Sequence, residues 1–157
     1  MAEGSHALSA LLPRSAIRVG VEAADWRAAV TAAGEALASS GATTPAYTGE
    51  MIAAIEAMGP YMVIAPGIAL PHARPSPAVL RVGLSVVALA RPVPFGHPQN
   101  DPVTLVIALA ATDNRSHTQA LATLAGLLAE ETRRAALLRA ERPEEILAAV
   151  EAYEDRS

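Results

Sequence analysis

The chain has 157 residues and a formal net charge of −4, which suits one mildly acidic domain with a sizeable core and disfavours nucleic-acid binding. It contains no cysteine, and all 12 of its cationic side chains are arginine, so disulfides, thiolate metal sites and Schiff-base chemistry are excluded. The apolar stretches at residues 82–90 and 103–111 are too short to span a bilayer, and residues 1–12 lack a signal-peptide pattern, so we expect a cytoplasmic protein.

The first third of the chain is predicted to hold an arm, one strand and two helices. Residues 1–14 are expected to form an N-terminal arm or a short helix, and the alternating residues 17–23 predict a strand. Asp25 is placed to cap a helix over residues 26–39. A second helix begins at Thr44-Pro45 and continues to residue 58, because proline favours a first helical turn.

The remainder of the chain predicts a block of strands followed by helices. The strand candidates are residues 61–65, 82–90 and 103–110. The last two are nearly continuous apolar runs, typical of central strands covered on both faces, and the stretch between them, 91–102, is predicted to be a loop. Helices are expected at 116–130, 132–139 and 143–153. Helices on both sides of a strand block predict an α/β sandwich, a three-layer arrangement with a mixed β-sheet, in a single domain over residues 1–157.

The segment 61–75 is the most informative about function. An apolar run turns at Pro71 and presents His72 at a strand edge, with Arg74 two residues later. A guanidinium offers a planar fork of donors that suits a phosphate. The segment therefore suits a histidine that carries a phosphoryl group, although a histidine beside a turn is more often only a solvated residue.

A second histidine, His117, opens a helix. Ser116 and Gln119 form a capping-box pattern, and leucines lie four, seven and eleven residues after His117, on its own face. His117 should therefore point inward, at the positive end of the helix dipole, which disfavours an imidazolium. Ligand sites gather beyond strand ends in α/β sheets, so the two imidazoles could meet there, although spacing alone does not require it.

These motifs resemble those of a known family. Residues 67–72, Gly-Ile-Ala-Leu-Pro-His, resemble the active-histidine signature of enzyme IIA domains in the mannitol/fructose class of the bacterial phosphotransferase system (PTS). The segment that starts at His117 resembles the leucine-rich helix that carries the supporting histidine of that family. The resemblance extends over residues 5–150 and is closer still to the ascorbate branch, in residues 59–75, 100–103 and 110–114.

The resemblance implies a phosphotransferase that forms a phosphohistidine and needs neither metal nor cofactor. His72 would accept a phosphoryl group from phospho-HPr through Nε2 and pass it to a cysteine of a IIB component, while His117 stabilises the phosphohistidine. Arg74 and Ser116 are the expected phosphate-binding residues. The membrane IIC component would take part only indirectly, through IIB. The resemblance leaves open whether the protein forms a homodimer. The apolar candidates for partner docking are Pro66, Ile68, Leu70 and Pro75.

The chain departs from the mannitol pattern at one position of the expected site. Those relatives carry a phosphate-binding arginine where Glu56 stands in this sequence. Arg74 is therefore expected to replace it, with Arg115 as the next candidate.

Three other functions stay open at the level of sequence. The first is a regulatory module of the nitrogen type, in which the phosphorylation state of His72 controls a target protein. The second is a two-histidine metal site, which is weaker because Asp113 is the only further ligand nearby. The third is a structural protein with an incidental histidine pair.

Overall fold

Five strands and six helices make up residues 7–155, the part of the chain that the computed structural model describes. The strands are β1 (Ile17–Val21), β2 (Val63–Ala65), β3 (Ile68–Ala69), β4 (Gly83–Val93) and β5 (Val103–Ala110). The helices are α1 (Leu8–Leu11), α2 (Trp26–Ser39), α3 (Ala46–Met58), α4 (Asn114–Leu127), α5 (Glu131–Arg139) and α6 (Pro143–Asp155). None of these helices is long and apolar enough to cross a membrane.

The strands form one mixed sheet in the order β1-β4-β5-β3-β2. β4 and β5 are antiparallel and central, while β1 runs parallel to β4 and β3 runs parallel to β5. Central strands need apolar side chains on both faces, and this explains why β4 and β5 are the two long apolar runs of the sequence. The predicted mixed sheet is confirmed.

Helices cover both faces of the sheet. Side chains of β5 alternate between the faces, so that Val106 packs with α2 and α3 while Ile107 packs with α1, α4 and α6. The two faces therefore have separate apolar cores. The predicted three-layer α/β sandwich is confirmed.

Local signals set most of the element boundaries. The Asp25 carboxylate accepts a hydrogen bond of 2.9 Å from the Ala28 amide and caps α2, as predicted. The chain leaves this helix through Gly41, whose φ of 89° favours glycine. α3 begins directly after Pro45, which fits the predicted start signal.

Two strand predictions need correction. Residues 91–93 were expected to open a loop but extend β4, because Val93 pairs with Val103 of β5. Residues 61–62 precede the short strand β2, and Ile68–Ala69 form the unpredicted β3 between β2 and β5. A two-residue strand carries too little periodicity to be recognised from sequence.

The predicted N-terminal arm lies partly outside the described residues, since residues 1–6 fall there. The short helix expected within it is present as α1. Leu8 is fully buried, and the Ser9 hydroxyl donates to the Glu154 carboxylate of α6 at 2.7 Å. Helix α1 is therefore packed into the fold.

Candidate active site

His72 lies just beyond β3, beside the end of β5. It pairs with Leu109 as a parallel bridge, and the Leu109 amide donates to the Pro71 carbonyl at 3.1 Å. The backbone at His72 therefore continues the line of β3 after the regular strand has ended. This places the imidazole at a strand edge, as predicted.

The His72 ring is held by its own backbone. Its Nδ1 lies 2.7 Å from the Leu70 carbonyl oxygen. Because a carbonyl only accepts hydrogen bonds, Nδ1 must donate, and the lone pair of the neutral ring is then on Nε2. The Tyr61 ring stands edge-on to the imidazole, with 5.8 Å between the ring centroids. The geometry fixes both the tautomer and the orientation of a nucleophilic nitrogen.

His117 lies in the first turn of α4, but a different residue caps this helix. The Asp113 carboxylate accepts a hydrogen bond of 2.7 Å from the Ser116 amide, and this bond lowers the pKa of Asp113. The helix therefore begins at Asn114 and ends at Leu127, whereas the sequence predicted a Ser116 cap and a helix over 116–130. Asp is as good an N-cap as Ser, and the Asp113 carboxylate bonds the amide that the capping-box pattern assigned to the cap residue itself.

The two imidazoles do meet, as the sequence allowed. Their ring centroids are 5.2 Å apart, and the ring planes are tilted by 58°. His117 is half-buried, and Leu124 and Leu128 behind it are buried, so the predicted inward stripe of α4 is confirmed. Burial lowers the pKa of His117, and the neighbouring His72 lowers it further. His117 is therefore neutral at pH 7.

The histidines open into a cleft of about 460 Å³ between α3, the His72 segment and the start of α4. Arg74, Tyr61 and Asn114 also line it, and the Arg74 side chain is exposed. Ser116 and Arg115 are not among the lining residues. Among the described residues, Arg74 is the arginine that lines the cleft, as predicted.

Glu56 does not line the cleft. Its carboxylate pairs with the Arg27 guanidinium at 2.7 Å. Within residues 7–155, no group of three or more His, Asp or Glu side chains is arranged to hold a metal ion, and the Asp113 carboxylate bonds the helix amide. Among the described residues that line the cleft with the two histidines, Arg74 supplies a positive charge and no carboxylate is present.

Sequence reasoning missed the polar role of Tyr47. The buried hydroxyl of this α3 residue contacts the backbone of two neighbouring segments: it accepts from the Ala73 amide at 2.9 Å and donates to the Leu109 carbonyl at 2.8 Å. A buried tyrosine hydroxyl normally finds a partner. This rule could have predicted from the sequence that the Tyr47 hydroxyl forms a hydrogen bond, but it does not identify the bonding partner.

Two of the expected docking residues are core residues instead. Ile68 of the inner strand β3 and Leu70, which directly follows it, are 0% and 3% exposed, because both side chains pack into the same apolar core. The large apolar side chains that are exposed and line the cleft are Met58 at 68% and Tyr61 at 42%. These two define the apolar rim.

Comparison with known families identifies the class of protein to which this site belongs. The family model described as "Phosphoenolpyruvate-dependent sugar phosphotransferase system, EIIA 2" matches residues 10–153. The chain belongs to this family of phosphotransferase components. The resemblance recognised in the sequence is therefore confirmed.

Three individual proteins show which members of the family this chain is similar to. The ascorbate-specific PTS system EIIA component of Escherichia coli (strain K12) is 39% identical over 107 residues, which cover 68% of this chain and 70% of that protein. The mannitol-specific cryptic phosphotransferase enzyme IIA CmtB of E. coli has a similar structure, with a TM-score of 0.83 and 32% identity over 93% of this chain and 99% of that one. The mannitol enzyme IIA of E. coli, solved in complex with phosphorylated enzyme IIB, gives a TM-score of 0.78 and 27% identity, covering 90% and 99% of the two chains.

Proposed function

We propose that this protein is a cytoplasmic phosphocarrier of a sugar PTS, which accepts a phosphoryl group from phospho-HPr on His72 and passes it to a IIB component. The observation that carries the proposal is the pair of imidazoles in one cleft, with His72 anchored through Nδ1 and its Nε2 lone pair free to react. Family membership supports phosphoryl transfer as the chemistry.

In the proposed step, the Nε2 lone pair of His72 attacks the phosphorus of the donor in line. A nitrogen–phosphorus bond forms while the bond between phosphorus and the donor side chain breaks, and the donor keeps that electron pair. Positive charge spreads over the His72 ring as its lone pair enters the new bond. The Leu70 carbonyl, which accepts from Nδ1 at 2.7 Å, stabilises that charge.

His117 would act as a neutral hydrogen-bond donor to the phosphoryl group. Its Nδ1 is buried and has no hydrogen-bond partner among the described residues. An unpaired acceptor is tolerated better than an unpaired N–H, so the proton is favoured on Nε2. From there it can be donated to a phosphoryl oxygen next to His72.

The charge of the phosphoryl group would be balanced mainly by Arg74, which lines the cleft. The transition state of phosphoryl transfer is loose, so it needs positioning and charge stabilisation more than covalent help. Ser116 remains a secondary candidate, because it neighbours His117 in the same turn but does not line the cleft.

The curated relatives that match this chain favour transport over regulation. The E. coli relative that is 39% identical is named as ascorbate-specific, and we assign this chain to uptake of an ascorbate-type sugar. The IIA–IIB complex among the similar structures supports a IIB component as the acceptor.

The test is phosphorylation of the purified protein by phosphoenolpyruvate, enzyme I and HPr, followed by intact mass spectrometry. We expect one phosphoryl group on the wild type and on a His97→Ala control, none on His72→Ala, and a slower or non-transferable modification on His117→Ala. The labelled protein should then lose its phosphoryl group to a IIB component. Failure of the wild type to accept phosphate from a competent cognate HPr would refute the carrier function.

A further inference from the structure

The Tyr47 hydroxyl lies where the backbone beyond His72 separates from β5. The side chain is fully buried, and its oxygen lies 2.9 Å from the Ala73 amide nitrogen, 2.8 Å from the Leu109 carbonyl oxygen and 3.2 Å from the Ala73 carbonyl oxygen. A hydroxyl offers one proton and two lone pairs. It therefore accepts from the Ala73 amide and donates to the shorter contact, the Leu109 carbonyl.

This arrangement inserts a side chain into a backbone ladder. In the parallel pair of His72 with Leu109, the Leu109 amide bonds the Pro71 carbonyl on one side of His72. The corresponding pair on the other side is the Ala73 amide with the Leu109 carbonyl. The Tyr47 hydroxyl bridges these two groups, and its helix α3 thereby supports the strand extension that carries His72.

We propose that Tyr47 is a positioning residue for phosphoryl transfer, whose hydroxyl fixes the backbone after His72 and thereby the direction of the His72 Nε2. This inference rests on the proposed function of His72. The Leu70 carbonyl holds the His72 ring through Nδ1, and the Tyr47 hydroxyl holds the backbone that carries the ring through the Ala73 amide. Tyr47 does not line the cleft and does not touch the reacting atoms.

The Tyr47 hydroxyl stays protonated at neutral pH. Burial raises the pKa of Tyr47 to about 12, despite the opposing effect of its bond to Ala73. The donor to the Leu109 carbonyl is thus retained. Removing the hydroxyl would leave the Ala73 amide and the Leu109 carbonyl buried without their partner. They could satisfy each other only if residue 73 moved toward β5, and His72 would move with it.

The test is Tyr47→Phe, which keeps the ring and removes only the hydroxyl. We expect phosphorylation by phospho-HPr to slow by roughly tenfold or more, because small misplacements of reacting atoms are costly, while the KM for phospho-HPr stays near the wild-type value. The ¹⁵N NMR shifts of the His72 ring should show loss of the single Nδ1–H tautomer. Tyr153→Phe on α6 is the matched control and should retain both the rate and the tautomer.

The outcomes separate this inference from the proposed function. A wild type that accepts no phosphate refutes the function. If the wild type is phosphorylated and a folded Tyr47→Phe has the same rate and the same His72 tautomer, only the positioning role is refuted. A Tyr47→Phe variant that differs from the wild type in KM alone also refutes the positioning role. If Tyr47→Phe does not fold, amide hydrogen exchange of the wild type decides, because an unprotected Ala73 amide would show that the hydroxyl does not hold it.

Discussion

The two imidazoles of the cleft are held in different ways, and this gives them different chemistry. His72 is tied through Nδ1 to the Leu70 carbonyl, so its free nitrogen is a nucleophile. His117 has a buried Nδ1 without a partner, and burial together with His72 lowers its pKa. A neutral ring with its proton on Nε2 can donate a hydrogen bond to a phosphoryl oxygen. In the proposed function, these differences make His72 the phosphoryl acceptor and His117 the supporting group.

The lowered pKa of His117 predicts that stability depends on pH. In the unfolded chain its pKa returns to about 6.5, so the unfolded state binds the proton more tightly and acidification favours unfolding. The stabilising contribution is present above that pH and is lost as the pH falls below it. Calorimetric melting between pH 8 and 5 should show a smaller decrease in Tm for His117→Gln than for the wild type. An equal decrease in Tm for His117→Gln and the wild type would contradict the prediction.

Arg74 and Arg115 allow a matched test of the phosphate-binding cation. Both side chains are exposed and close in sequence to one of the two histidines, but only Arg74 lines the cleft. Arg74→Gln should slow phosphohistidine formation by about tenfold, since one charge-stabilising donor is lost. Arg115→Gln should remain near the wild-type rate, measured as initial phosphorylation by phospho-HPr. Equal rates for the two variants would remove Arg74 from the site.

At the scale of elements, the contact between α2 and α3 positions the cleft wall, because α3 carries both Tyr47 and Met58. Gly34 of α2 is buried at this contact, and a Cβ at that position would overlap the Thr48 side chain. Gly49 lies on α3 with open space around it. The same substitution is therefore expected to have opposite effects at the two helical glycines.

Helix propensity alone would favour alanine over glycine at both positions by about 1 kcal/mol. Gly34→Ala should nevertheless lower the free energy of unfolding by about 1–3 kcal/mol, because the helices must move apart. Gly49→Ala should raise it by up to about 1 kcal/mol. Denaturant unfolding of both variants measures this difference, and a stabilised Gly34→Ala would show that the helix contact is loose.

At the scale of the whole molecule, the cleft lies beside an apolar rim that a partner can cover. Met58 lines the cleft and is 68% exposed, whereas Leu80 is 59% exposed and lies outside it. Transient phosphoryl carriers need small interfaces that release quickly, and a few large side chains can supply their binding energy.

Docking at the apolar rim predicts that Met58 and Leu80, both exposed, differ in their effect on the KM for phospho-HPr. Met58→Gln should raise the KM for phospho-HPr severalfold with little change in kcat, because it removes apolar contact area without touching His72. Leu80→Gln, a comparable change outside the cleft, should leave both constants unchanged. Steady-state transfer from phospho-HPr measures both, and an effect of equal size in the two variants would argue against docking at the rim.

The sequence by itself determined most of the helices, the two long strands and the histidines of the candidate site. The apolar runs of β4 and β5, the Asp25 cap and the turn at Pro71 are local patterns, so they were readable without the fold. His72, His117 and Arg74 were found from residue type and spacing, with the family resemblance adding their roles. Even the local reading was imperfect at α4, where Asp113 caps the helix in place of Ser116.

Only the tertiary structure decided which residues meet. The order β1-β4-β5-β3-β2 brings the His72 segment beside the end of β5, from which the chain leads directly into α4 and His117. It also buries Ile68 and Leu70, which the sequence analysis named as docking candidates, and places the Tyr47 hydroxyl beside the backbone that follows His72. Local periodicity specifies how each element forms, but strand order arises from long-range burial that no short window of sequence contains.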